Sequence, residues 1–193
     1  LKDLFMNTLS SSLALASLLS LLPLAAQAQQ ALLPAQSEIA FVSRQMGVPV
    51  EGRFKRFSAQ VAFDPAKLAS SSVAFTVDTG SADISREANA ELPKATWFNV
   101  AAFPQASFQS SSIKRISPSQ FEVSGKLSIK GLSSAVVVPV TLAQSGNLTT
   151  ATGSFAIKRL AFRIGEQEWA DTSMVADEVQ VKFKIALSGM PKL

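Results

Sequence analysis

The chain has no cysteine, no histidine and no tyrosine. Without cysteine it forms no disulfide, thiolate metal site, cysteine nucleophile or acylated lipoprotein anchor. Without histidine it loses the usual general base and the commonest metal ligand, and without tyrosine the usual phenolic acid. Serines are plentiful, but none has an imidazole to activate it. No Gly-x-Ser-x-Gly elbow occurs, and no Ser-x-x-Lys opens a helical pattern. Carboxylates remain for glycoside chemistry, as Asp171 with Asp177 and Glu178, or as Asp83 with Glu87. These fall in polar connections, where solvated acids are the rule, and their spacing matches no calcium loop. The four methionines are scattered and outline no copper site. The chain reads as a protein that is not an enzyme, with no metal and no resident cofactor.

Charge of either sign is also in short supply. Eighteen Lys and Arg against 14 Asp and Glu leave +4. That suits contact with anionic head groups or cell-surface polymers and falls short of a nucleic-acid footprint. Gly52-Arg53-Phe54-Lys55-Arg56-Phe57 interleaves bases with aromatics, as single-strand binders do. In a strand, however, Arg53 and Lys55 face away from Phe54, so a charged outer face over an apolar inner one is expected, and no nucleic acid.

Apolar residues crowd the front. Leu13 to Ala28 is an apolar run ending in Ala26-Gln27-Ala28, the small-residue pattern that a signal peptidase reads. It is shorter than the roughly 20 residues of a membrane span and carries Ser17, Ser20 and Pro23. Residues 1–28 are therefore expected to be a signal peptide, although its basic region is only Lys2, offset by Asp3, and Met6 is an alternative start. Residues 29–193 then form one exported, periplasmic domain, long enough to build a core without staples.

Beyond residue 28 the apolar period is two. Ala59, Val61 and Phe63 alternate with polar or small neighbours. So do Val73, Phe75 and Val77, then Phe121 through Ile129, Val136 through Leu142, and Val179 through Leu187. This is the pattern of half-buried antiparallel strands. Asp64-Pro65, Ser117-Pro118-Ser119, Lys130-Gly131 and Ser145-Gly146-Asn147 punctuate them. Eight to ten strands are expected, in a barrel or a sandwich. The apolar parity changes between Phe54 and Phe57, which calls for either a bulge at Lys55-Arg56 or a break between two strands. Two stretches leave the rhythm: a short helix within 85–98, stopped at Pro93 and followed by Trp97-Phe98, and a polar connection over 159–177 holding Trp169. Both suit caps at the ends of a barrel.

Thirteen Phe beside two Trp is an unusual aromatic balance, and Phe lines apolar space without needing a hydrogen bond. Phe41, Phe54, Phe63, Phe75, Phe108, Phe155 and Phe183 share the apolar parity of their strands. Periodicity alone leaves open whether they fill a core or line a cavity.

A set of ordered motifs bears on that choice. Ser37-Glu38-Ile39-Ala40-Phe41, the Gly52 to Phe57 run and Phe63-Asp64-Pro65 come first. Trp97-Phe98 and Phe103-Pro104-Gln105-Ala106-Ser107-Phe108 follow. Gly125 to Leu132, Val138-Pro139-Val140 and Ala176-Asp177-Glu178-Val179 complete the set. Together they resemble the YceI-like family over nearly all of residues 29–193. The resemblance implies an all-β, lipocalin-like antiparallel barrel of roughly eight strands with a short helical segment. It also implies a periplasmic carrier whose internal tunnel binds a polyisoprenoid, an isoprenoid quinone or another long-chain lipid. On this reading the lipid lies against Phe41, Phe54, Phe63, Phe75, Val77, Phe108, Leu127 and Phe155, with Trp97, Phe98 and Trp169 near the openings. Peripheral membrane contact and a homodimer are compatible with it. The alternative is a ligand-free stress or interaction module with a filled core, acting through Arg53, Lys55, Lys126, Lys182 and Lys184.

Overall fold

The computed structural model describes residues 30–193; the expected signal peptide, residues 1–28, lies outside the described residues. Strands β1 (Ala31–Leu32), β2 (Glu38–Gln45), β3 (Val48–Phe54), β4 (Phe57–Ala62), β5 (Ser72–Asp78) and β6 (Ala82–Asp83) precede one short helix, α1 (Arg86–Glu91). Strands β7 (Gln105–Arg115), β8 (Gln120–Ile129), β9 (Leu132–Ser145), β10 (Leu148–Lys158) and β11 (Glu178–Ser188) follow. All strands join one curled antiparallel sheet in the order β4-β5-β7-β8-β9-β10-β11-β2-β3-β6, with β1 on β11. Setting aside the two-residue strands and counting β3 and β4 as one interrupted pass gives the eight strands expected.

The period-two pattern is what builds these strands. In β8, Phe121, Val123, Leu127 and Ile129 are buried together with Gly125, while their neighbours face outward. Two-residue turns at Met46-Gly47 and Lys130-Gly131 take positive φ at both positions, the left-handed geometry that matches strand twist in a tight hairpin.

The parity change at Lys55-Arg56 is a break, not a bulge. Strand β3 stays with β2, whereas β4 leaves to pair with β5. The Lys55 and Arg56 amides donate to the carbonyl and hydroxyl of Ser81, and the Arg56 carbonyl accepts from the Asp78 amide. Because β3 and β4 lie at opposite ends of the sheet path, this crossing joins the two ends of the curled sheet through the chain itself. A second link lies at the far end, where the Gln30 carboxamide donates to the Phe63 carbonyl (2.7 Å) and accepts from its amide (2.9 Å).

Two apolar clusters hold the interior. One closes the far end with Phe63, Phe121, Leu142, Ile185, Leu187 and Met190, and the Phe63 and Phe121 rings meet edge to face at 5.2 Å. The other, with Leu92, Phe98, Leu127, Ile129, Phe162 and Ile164, sits under α1 and the 159–177 connection. Helix α1 starts where the Ser85 hydroxyl accepts from the Ala88 amide at 3.2 Å. It ends at Glu91, two residues before Pro93, which cannot continue it.

Candidate functional site

Between the two clusters lies a cavity of about 620 Å³, walled almost wholly by apolar side chains. The interior is therefore not filled. Backbone makes part of the room: Phe41 faces Gly52 and Phe183 faces Gly153 across neighbouring strands. A Cβ at either glycine would collide with the facing ring, so each ring occupies the space that a side chain would otherwise take.

All eleven residues named from the sequence line this cavity: Phe41, Phe54, Phe63, Phe75, Val77, Trp97, Phe98, Phe108, Leu127, Phe155 and Trp169. Phe54, Phe75, Val77, Phe108 and Phe155 are only half-buried although they lie on the inner parity of their strands, because the cavity stands before them. Phe63 belongs to the closed end. At the other end the lining reaches the surface, where Met46 is 71% and Met174 48% exposed. Those two methionines adjoin, the Met46 amide donating to the Met174 carbonyl.

The two irregular stretches fold over the same end. The Gly165 and Glu166 amides both donate to the Thr96 carbonyl. From the β8–β9 turn, the Lys130 ammonium donates to the carbonyls of Ala95 (2.8 Å) and Arg163 (2.6 Å), and pairs with Glu166 at 3.3 Å. Glu166 also accepts from Arg163, and these two contacts, Arg163 first, hold its carboxyl below the ordinary range.

The 159–177 connection, read from sequence as polar, is exposed over much of its length but sends five residues inward. Arg159, Phe162, Ile164, Gly165 and Val175 are buried. Arg159, 2% exposed, lines the cavity and was not singled out from the sequence. Its guanidinium donates to five backbone carbonyls, those of Ile164, Gly165, Trp169, Val175 and Ala176, at 2.7–3.1 Å. Among the described residues it forms no ion pair. Burial draws its pKa down and nearby Asp177 partly opposes that. The only sequence signal for it was position, a base at the boundary between the last inward residues of β10 and an aromatic-bearing loop.

Trp97 and Trp169 pack against each other near this guanidinium, with ring centroids 5.6 Å apart and planes tilted by 49°. Both indole nitrogens are buried without a hydrogen-bond partner. Unpaired buried donors cost about 1–3 kcal/mol each.

The carboxylates considered for catalysis hold local structure. Asp83 accepts from Asn89 and pairs with Lys55 and Arg53, and these contacts, Asn89 first, lower its pKa. Asp171 is lowered by the Ser173 hydroxyl and amide, which close its own turn. Asp177 caps the Leu160 amide. Of the basic residues of the alternative reading, Lys126 stands apart, while Lys182 faces Ala40 and Ala40 faces Arg53 in one cross-strand row over β11, β2 and β3. Arg53 and Lys55 lie on Asp83, Lys184 faces Glu38 across strands, and Lys126 sits on β8, with β9 and β10 between it and β11.

Comparison with known proteins follows the same lines. The YceI-like domain model matches residues 31–187. A Salmonella arizonae protein named YceI is 32% identical over 97 residues, and a UPF0312 protein of Azotobacter vinelandii is 33% identical over 88. The aligned parts cover 50% and 45% of this chain, so it spans about half the length of the curated relatives it matches, 50% and 46% respectively. The crystal structure of Burkholderia cenocepacia BcnA is 47% identical, with a TM-score of 0.78 over 80% of this chain and 98% of BcnA. A domain from Saccharophagus degradans described as polyisoprenoid-binding shares the fold, with a TM-score of 0.67 at 14% identity over 82% of this chain and 97% of that domain.

Proposed function

The chain belongs to the YceI-like family, and from that premise we propose that it carries one long-chain, largely apolar molecule, a polyisoprenoid or similar lipid, in its cavity. The observation that carries this reading is the 620 Å³ apolar space that opens beside Met46 and Met174. At about 30 Å³ per methylene-sized group it takes roughly 20 of them. Burying those groups contributes on the order of 16 kcal/mol before the ordering of the tail is subtracted. No polar anchor is needed for micromolar binding.

The described polypeptide offers grease and shape, and the binding description of the Saccharophagus degradans neighbour accords with that. The protein works as a binder and not as a catalyst. Export after loss of residues 1–28 would place it in the periplasm, where a water-insoluble cargo needs such a container. The exposed methionines at the mouth give the cargo an apolar path from a membrane surface, which the carrier touches without spanning it.

Two measurements test the reading. The protein, purified from its native cell envelope without detergent, is extracted and its lipids identified by mass spectrometry; a stoichiometric long-chain species is expected. Phe108→Glu puts a charge into the cavity and is expected to abolish uptake while circular dichroism stays that of the β-sheet. A folded variant that still loads lipid would sink the cavity assignment.

A further inference from the structure

The methionines among the described residues fall into two classes. Met190 is 8% exposed and packs in the closed-end cluster, whereas Met46 is 71% and Met174 48% exposed. Both exposed side chains also line the cavity, so each thioether stands in solvent and on the way to the cargo. The backbone keeps the two together. The Met46 amide donates to the Met174 carbonyl at 2.9 Å, the Ala176 amide donates to the Arg44 carbonyl at 2.9 Å, and Gln45 bridges to Val175. Met46 also holds the first position of the β2–β3 turn, with a φ of 48° followed by 80° at Gly47. Asparagine, aspartate or glycine takes that position with least strain, and this hairpin carries a thioether there instead.

We propose that Met46 and Met174 form a reversible oxidation site, and that oxygen on their sulfurs slows the passage of cargo through the mouth. The inference rests on the carrier reading and adds its regulation. The oxidant is a peroxide. A sulfur lone pair attacks one peroxide oxygen, and the S–O bond forms as the O–O bond breaks. Sulfur is oxidised by two electrons, and the second oxygen of hydrogen peroxide, reduced, leaves as water with both protons. The product is a polar sulfoxide, which methionine sulfoxide reductase returns to the thioether. The chain has no cysteine to react first, and burial shields Met190. An added oxygen turns the apolar rim into a hydrogen-bond acceptor that is costly to move from water into a bilayer. A carrier in oxidising surroundings therefore keeps what it holds.

The test treats the purified protein with graded hydrogen peroxide. Peptide mass spectrometry is expected to find one added oxygen on Met46 and one on Met174 while Met190 stays unmodified. Transfer of a fluorescent polyisoprenoid to phosphatidylcholine vesicles is then expected to slow about fivefold or more. Methionine sulfoxide reductase is expected to restore the rate; a rate that stays slow means damage and overturns the proposal. The double variant Met46→Leu, Met174→Leu keeps the mouth apolar and offers oxygen no sulfur there. It is expected to transfer at the untreated rate with and without peroxide. If Met190 oxidises as fast as the other two, or if transfer ignores oxidation of both mouth sulfurs, the switch is overturned and the carrier stands. If untreated protein loads no polyisoprenoid, both fall. The wild-type series decides the matter even where the variant fails to fold.

Discussion

Arg159 and Gly52 show how much of this molecule turns on single positions. The five N–H groups of Arg159 meet five carbonyls from the 164–176 stretch, so the side chain is the internal scaffold of that loop. Arg159→Met is expected to lower stability by about 3 kcal/mol or more, because several buried carbonyls lose their partners at once. Urea denaturation reads this as a lower midpoint. Lysine, with three donors in place of five, should recover only part of it. Gly52 acts through absence. Gly52→Ala sets a methyl group against the Phe41 ring and Ile84. It is expected to lose about 1–3 kcal/mol and to shorten the longest tail accepted, as the ring is pushed into the cavity. Affinities across a series of chain lengths measure that. The sequence made the phenylalanines legible through their parity but hid Arg159, since a charged residue in a loop reads as exposed. The pairing of Gly52 with Phe41 was hidden too, because it depends on strand register.

At the level of elements, the alternation in β8 or β11 was enough to read strands, and Ser85 with Pro93 bounded a short helix. What the alternation left open at Lys55-Arg56 was decided by hydrogen bonds to Ser81, which lies 25 residues on. The meeting of the 92–100 and 159–166 segments at one end is likewise non-local. Lys130 clips both segments, and Glu166 completes the clip. The pKa of Glu166 is lower in the folded chain than in the unfolded one. Its contribution to stability is therefore full above the unfolded value, about 4, and is lost as pH falls through the folded value. Glu166→Gln is expected to flatten that part of the acid limb, leaving stability above pH 6 with little pH dependence of its own. Unfolding free energies followed across the acid range, wild type against variant, check it.

For the whole molecule, the sheet is held in its curl by two kinds of closure, the covalent crossing from β3 to β4 and the Gln30–Phe63 pair at the far end. The mouth stays apolar at Met46 and Met174. Replacing both by glutamate is expected to slow cargo exchange with vesicles about tenfold, since each side chain no longer enters the bilayer surface. Affinity for a cargo already in solution should fall much less, since the two side chains line only the mouth. Stopped-flow transfer set against equilibrium titration separates the two. The barrel class was legible from the chain's strands and turns, and the family resemblance pointed to a tunnel. The open interior was not, because Phe side chains on one parity fit a packed core and a hollow one equally well.

That hollow interior also bears on how long each copy lasts. Side chains around an empty space forgo contacts that a cargo would supply, and a ligand that binds only the folded chain holds it folded by mass action. Empty copies therefore open more often than filled ones, and a protease that cuts the opened chain removes them first. Pulse proteolysis of loaded and stripped protein is expected to show the stripped form disappearing sooner. In a cell, the abundance of this protein would then follow the supply of its cargo, with degradation as the gauge.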